Sequence, residues 1–280
     1  MKYDVRTACY EDLEEVAAIE KATMGNYTYV DTAWNYFMNS EGEFLCAYDG
    51  DKMVGIAHVA ILPDGCGWFE ALRVHPEHQN RGVGKALYEK AMDLVENRYH
   101  CPTFSMYTGP RNVRSTGLAE KYGLSNVHQF KEYNLKVAKD GDPHDFRYAD
   151  WRRTEELVLP LKDEYDGFMS VNRTMYRINS DNVRALADQG FFYESDGTVI
   201  GIGSRFQHGN KLFILLVKGD YEKAIDFAVS VARSRNIPNI TCTFSSVNEE
   251  LEQAVKEYGF DFVADLITKE RVYQQYSINA

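Results

Sequence analysis

His75-Pro76-Glu77-His78-Gln79-Asn80-Arg81-Gly82-Val83-Gly84-Lys85 joins a strand-like run, Phe69 to Val74, to a segment in which Leu87, Ala91, Leu94 and Val95 recur at helical spacing. Two glycines one residue apart at a helix start bring the backbone close to a ligand. They also leave several N–H groups pointing outward at the positive end of the helix dipole. Such a turn is either a pyrophosphate site or an ordinary strand-to-helix connection.

Upstream of the turn, Asp12 to Thr23 predicts a short amphipathic helix with Leu13, Val16, Ala17 and Glu20 along one side. Phe44 to Tyr48 and Met53 to Leu62 predict a hairpin around Asp49-Gly50-Asp51. Downstream, the helix is expected from about Gly84 to Arg98, and the chain then repeats itself. Glu120-Lys121-Tyr122-Gly123-Leu124 recurs as Lys256-Glu257-Tyr258-Gly259-Phe260, and at the same offset Asn112 maps onto Asn248. Tyr88 to Asp93 matches Tyr221 to Asp226, and Val54-Gly55-Ile56 matches Ile200-Gly201-Ile202. Helical spacing returns in Ile225, Ala228, Val229 and Ala232, and again in Leu251, Ala254, Val255 and Tyr258. The polar stretch Lys139-Asp140-Gly141-Asp142-Pro143 has linker character. The expected fold class is therefore mixed α/β, an α+β mixed sheet in each of two tandem domains, 1–140 and 141–280.

Read as Leu-x-Val-x-Pro-Glu-x-Gln-x-Arg-Gly-x-Gly-x-x-Leu, residues 72 to 87 resemble the acyl-CoA-binding signature of the GNAT superfamily of N-acetyltransferases. The resemblance runs along the whole first half, from the helix after Arg6-x-Ala8 to Asn112 followed eleven residues on by Gly123. It implies acetyl-CoA as co-substrate. Gln79, Asn80, Arg81, Gly82, Val83, Gly84 and Lys85 would cradle its pyrophosphate. Leu72, Arg73 and Val74 would line the pantetheine arm with strand backbone, and Asn112 would touch the cofactor further along. Asn112, after Gly109-Pro110, reads equally as a helix cap. In the second copy, with Val217 set against Val74 and Tyr221 against Tyr88, residues 75 to 87 face only Lys218-Gly219-Asp220. The phosphate cradle is missing there, and the layout resembles two-copy family members in which one half is degenerate.

Acetyl transfer to an amine needs a base for the nitrogen, a donor near the developing oxyanion and a proton for the departing thiolate. Glu70 is the candidate base: it lies four residues before Val74 and, by strict alternation, on the same strand face as Leu72 and Val74. A relative-like glutamate here has that role in polyamine-acetylating members, whereas a carboxylate paired with Arg73 or solvated is the plainer reading. His75 and His78 titrate in a useful range but sit in the turn, where they shape the loop or meet CoA. The family's acid tyrosine falls at Ala119, so no phenol is available there. Tyr122 lies three residues further round the helix and, matched by Tyr258, reads as a core residue; Tyr107 is another phenol on the preceding strand.

Met24 to Met38 carries Tyr27, Tyr29, Trp34, Tyr36 and Phe37, which read either as an aromatic lid over the acceptor or, for Trp34, Phe37 and Met38, as a core stripe. Asp163-Glu164-Tyr165-Asp166 is either an attractant for a cationic acceptor or a solvated acidic face.

Composition narrows the partners. In 280 residues, 44% hydrophobic, 31 Lys and Arg stand against 42 Asp and Glu, a net charge of −11 that disfavours nucleic acid and anionic membranes. No apolar run reaches the eighteen residues of a membrane span, and the first residues lack a secretory pattern, so the expectation is cytoplasmic. Cys9, Cys46, Cys66, Cys101 and Cys242 show no C-x-x-C spacing, and His58, His100, His128, His144 and His208 show no ligand spacing, so no metal is expected. The expected function is transfer of the acetyl group of acetyl-CoA directly to a primary amine of a small molecule, by a monomer with pseudo-dimeric halves or a weak homodimer. The alternatives are a peptide or protein N-acetyltransferase, or a non-catalytic acyl-CoA sensor.

Overall fold

The computed structural model describes residues 3–206 and 210–273. His208 lies outside them. The first copy runs β1 (Asp4–Thr7), α1 (Leu13–Met24), α2 (Val30–Asn39), β2 (Gly42–Asp49), β3 (Lys52–Ile61), β4 (Gly67–Val74), α3 (Val83–Asp93), β5 (Thr103–Thr108), α4 (Val113–Lys121) and β6 (Ser125–Lys136). The second runs β7 (Arg147–Tyr148), α5 (Trp151–Val158), β8 (Phe168–Val171), β9 (Thr174–Arg177), α6 (Ser180–Asp188), β10 (Phe192–Ser195), β11 (Thr198–Gly203), β12 (Leu212–Lys218), α7 (Tyr221–Ser234), β13 (Asn239–Ser245), α8 (Glu249–Tyr258) and β14 (Asp261–Val272). The order is the same in both, apart from the β8–β9 hairpin inserted between α5 and α6.

The chain forms two compact units, and each contains a segment from the end of the other copy. Residues 3–106, 114–125 and 269–273 make the first; residues 107–113, 126–206 and 210–268 make the second. Compactness thus follows an exchange of closing segments, β6 into the second unit and the end of β14 into the first. The 140/141 boundary divides the repeat in sequence.

In the first unit β1 to β4 form an antiparallel meander, and β4 then runs parallel to β5. The turn between β2 and β3 uses Gly50 with φ +61°, as the Asp-Gly-Asp signal predicts. Alternation along the strands sorts two hydrophobic layers. Leu45, Ala47, Ala57, Val59 and Phe69 face Val83, Leu87 and Ala91 of α3. Phe44 on β2 points the other way, with its ring 5.0 Å from Trp34 and 5.5 Å from Phe37 of α2. Trp34 and Phe37 are buried, so they are the core stripe; Tyr27 stays 83% exposed. Burying these aromatic and aliphatic side chains contributes roughly 1.5–3 kcal/mol each. The helix expected to reach Arg98 is α-helical only to Asp93 and finishes in one π turn, Leu94–Arg98.

The second unit repeats the plan. β10, β11 and β12 are antiparallel, β12 runs parallel to β13, and β6 pairs antiparallel with β13 from Asn239↔Lys136 to Ser245↔Phe130. No helix among the described residues is long and apolar enough to cross a membrane.

Candidate active site

Strand β4 carries the feature on which the site is built. Opposite it, β3 pairs Ile56↔Arg73 and His58↔Glu70, so two residues of β4, Ala71 and Leu72, oppose the single Ala57. Ala71 adopts φ +54°, which makes this a β-bulge. The inserted residue breaks the alternation and corrects the expected placement of Glu70. Phe69, Leu72 and Val74 pack with the α3 layer, whereas Glu70 lies on the other face, its Oε1 2.9 Å from Nδ1 of His58. That imidazole is buried with its ring 4.5 Å from Phe37 of α2.

Beyond the bulge β4 loses its other neighbour. The β4–β5 ladder covers only Gly67↔Phe104 and Trp68↔Ser105, although β4 continues to Val74. The splay leaves strand backbone between residues 70 and 74 on the side away from β3 with no partner in the β4–β5 ladder. A linear amide such as a pantetheine arm matches such an edge, because it offers alternating donors and acceptors.

The strand then enters the turn through a short 3-10 segment, Pro76–His78. His75 accepts from the Glu77 N–H at 3.4 Å, and His78 Nδ1 lies 3.6 Å from Asp49, so both histidines brace the loop. The Gln79 side chain donates to the Val74 carbonyl (3.2 Å) and accepts from Arg114 of α4 (2.9 Å), which makes it a tether. Asn80 and Gly82 take φ +60° and +97°, so successive amides turn toward one side. At Gly82 a Cβ would meet only Tyr3, 4.0 Å away; the left-handed backbone, not crowding within the chain, calls for glycine. Tyr3 donates to the Arg81 carbonyl at 3.3 Å and holds the turn from below.

Gly82 is the N-cap of α3 and supplies no side-chain acceptor. The Ala86 N–H reaches the Gly82 carbonyl at 3.0 Å, which leaves the amides of Val83, Gly84 and Lys85 without an intrahelical acceptor. Exposed Arg81 and Lys85 flank them, Lys85 within 3.5 Å of Glu89. An uncapped first turn, two left-handed residues and two cations suit a pyrophosphate group. Among the described residues no group of three His, Cys, Asp or Glu side chains is arranged to hold a metal ion.

Comparison with known proteins bears on the family and the fold. The sequence model of the acetyltransferase (GNAT) family matches residues 7–124. This domain belongs to the GNAT family. Three solved structures share the fold over nearly the whole chain. A candidate acetyltransferase from Pyrococcus horikoshii aligns with TM-score 0.69 and 13% identity over 99% of this chain and 92% of that one. A GCN5-related N-acetyltransferase from Sphaerobacter thermophilus gives 0.68 and 12% over 97% and 96%. A tandem GNAT protein from the clavulanic acid biosynthesis pathway gives 0.61 and 12% over 96% and 98%. No curated protein matches the chain by sequence.

Other expected residues of the GNAT domain find plainer places. Ala119 is fully buried, and Tyr122 stacks on Tyr88 at 5.2 Å and 11°. Burial pushes the Tyr122 phenol up to about 12, the wrong direction for a proton donor near neutrality. Asn112 donates its backbone N–H to the Gly109 carbonyl (2.9 Å) in the second unit, and its counterpart Asn248 caps α8 by accepting from Leu251 N–H (3.0 Å). Burial raises the thiols of Cys46, Cys101 and Cys242 well above their ordinary range, which disfavours a thiolate nucleophile.

Proposed function

We propose that the first copy binds acetyl-CoA and transfers its acetyl group directly to the primary amine of a small molecule, such as an amino acid, polyamine or amino sugar. The observation that carries this reading is the uncapped N-terminus of α3 at the end of a bulged, splayed β4. In it, the turn from Gln79 to Lys85 holds the pyrophosphate, and the backbone of Leu72, Arg73 and Val74 receives the pantetheine arm. The thioester supplies an activated acyl group. Glu70 accepts the amine proton as nitrogen bonds to the carbonyl carbon and the carbon–sulfur bond breaks. The thiolate takes up a proton, so acetyl-CoA and the neutral amine give N-acetylamine and CoA thiol. The protein works as a monomer with pseudo-dimeric halves or as a weak homodimer in the cytoplasm.

Free thiol release from acetyl-CoA with spermidine, glucosamine, lysine, alanine and a peptide with a free N-terminus tests the reading. Turnover of a small amine with Glu70→Gln reducing kcat at least a hundredfold is the expected result. Turnover of the peptide alone overturns the small-molecule acceptor. Ala119, where a phenol is missing, favours one rival, an acyl-CoA sensor. Micromolar binding of CoA without release from any amine would support that instead.

A further inference from the structure

His58 is buried and is the direct cross-strand partner of Glu70, one residue before the bulge. Its ring is set between Phe37 at 4.5 Å and Phe44 at 5.8 Å, the latter inclined by only 29°. These rings fix the plane of the imidazole, and Nδ1 reaches Glu70 Oε1 at 2.9 Å. A histidine in an aromatic slot beside a nearly buried carboxylate (7% exposed) defines that carboxylate's position more firmly than a solvated strand residue would have it.

We infer that His58 is a positioning residue for the acetyl transfer: it donates Nδ1–H to Glu70 Oε1 and holds the carboxylate in the orientation that accepts the amine proton. The inference rests on Glu70 as the base. His58 exchanges no proton with substrate, and its Nδ1–H stays in place through the reaction. This separates it from a relay, in which the imidazole would itself carry the proton away. Asparagine places an N–H close to the position of Nδ1. Phenylalanine fills the slot without a donor.

Nitrogen-15 NMR of the imidazoles in the chain without ligand reads the tautomer directly. A protonated Nδ1 at neutral pH is expected, and an Nε2–H tautomer would overturn the inference. With acetyl-CoA and whichever panel amine is turned over fastest, His58→Phe should lower kcat at least tenfold with the KM for acetyl-CoA unchanged. His58→Asn should recover most of that loss. Equal losses in the two variants, or wild-type kcat in His58→Phe alongside an inactive Glu70→Gln, refute the positioning role but leave Glu70 as the base. Full kcat in Glu70→Gln overturns both. If His58→Phe does not fold, His58→Asn decides: near-wild-type kcat supports the inference and a Glu70→Gln-like loss defeats it.

Discussion

Two helix starts, each after a bulged strand with a parallel neighbour, show how one duplicated plan leaves a helix end uncapped in one copy and caps it in the other. At α3 the cap is Gly82, with no side-chain acceptor, and a long turn separates it from β4. At α7 only Gly219 and Asp220 intervene, and the Asp220 carboxylate accepts from the Lys223 N–H at 3.0 Å. One helix leaves its positive end for an incoming anion; the other neutralises it with its own carboxylate. The charge of the next helix follows suit. Arg114 of α4, tied to Gln79, corresponds at the repeat offset to Glu250 of α8. Glu249, Glu250 and Glu257 line a groove of about 450 Å³ beside Tyr221, where a phosphate would be repelled.

The strands make the same contrast. β12 keeps a bulge, because Gly201↔Leu216 is followed by Ile202↔Ile214, and its ladder with β13 stops at Ile214↔Cys242. This gap is filled. The fully buried Tyr165 hydroxyl donates to the Val217 carbonyl (2.5 Å) and accepts from the Val217 N–H (2.8 Å). Val217 corresponds to Val74. A buried phenol takes both backbone groups of Val217, whereas the Val74 carbonyl accepts from the Gln79 side chain of the turn.

The comparison breaks most visibly at Gly82. Gly82→Asp puts a carboxylate at the N-cap of α3, imitating Asp220, and forces a side chain into a left-handed backbone. Affinity for CoA should fall more than a hundredfold in a calorimetric titration, and unaltered affinity would remove the turn from the site. Tyr165→Phe attacks the other copy. Losing both hydrogen bonds strands a buried N–H and C=O, at about 3 kcal/mol of stability in denaturant unfolding. Bound CoA should remain at one per chain, and a second equivalent would show that the plug alone closes that copy. Arg114→Glu carries the charge of the second copy into the first and should weaken CoA binding about tenfold, or ~1.4 kcal/mol. Raising the salt should narrow that difference.

Much of this contrast was legible in the sequence. Tyr-Gly repeats revealed the duplication, helical and strand spacings located α1, α3, α7 and α8, and the missing residues between Val217 and Tyr221 announced the short connection before α7. Glu70 was named, but its face was misread, because alternation assumes a regular strand and nothing in an alanine announces φ +54°. Tyr165 was hidden inside what reads as an acidic cluster. In the fold its neighbours are engaged: Glu164 pairs with Lys218 at 2.8 Å, and Asp166 lies 2.7 Å from His128 and 3.2 Å from the Ser245 hydroxyl. Local composition cannot distinguish a solvated carboxylate from one whose partner stands scores of residues away. His58 escaped for the same reason, since its pairing with Glu70 depends on the β3–β4 register.

The smallest effect is expected at Asp220. Asp220→Ala removes the α7 cap, which costs about 1 kcal/mol and lowers the melting temperature by roughly 2–4 °C. It frees amides resembling those of α3, yet it should not create a second CoA site. Gly219, at φ +103°, leaves a Cβ position only 2.8 Å from Thr198, so the short connection has no space to widen into a cradle. Glu249 and Glu250 stay in place, and Tyr165 still occupies Val217. A variant that melts slightly earlier and binds one CoA would show that an uncapped helix is insufficient without the long turn and the open strand edge. Binding of a second CoA would reduce the whole contrast between the copies to one carboxylate.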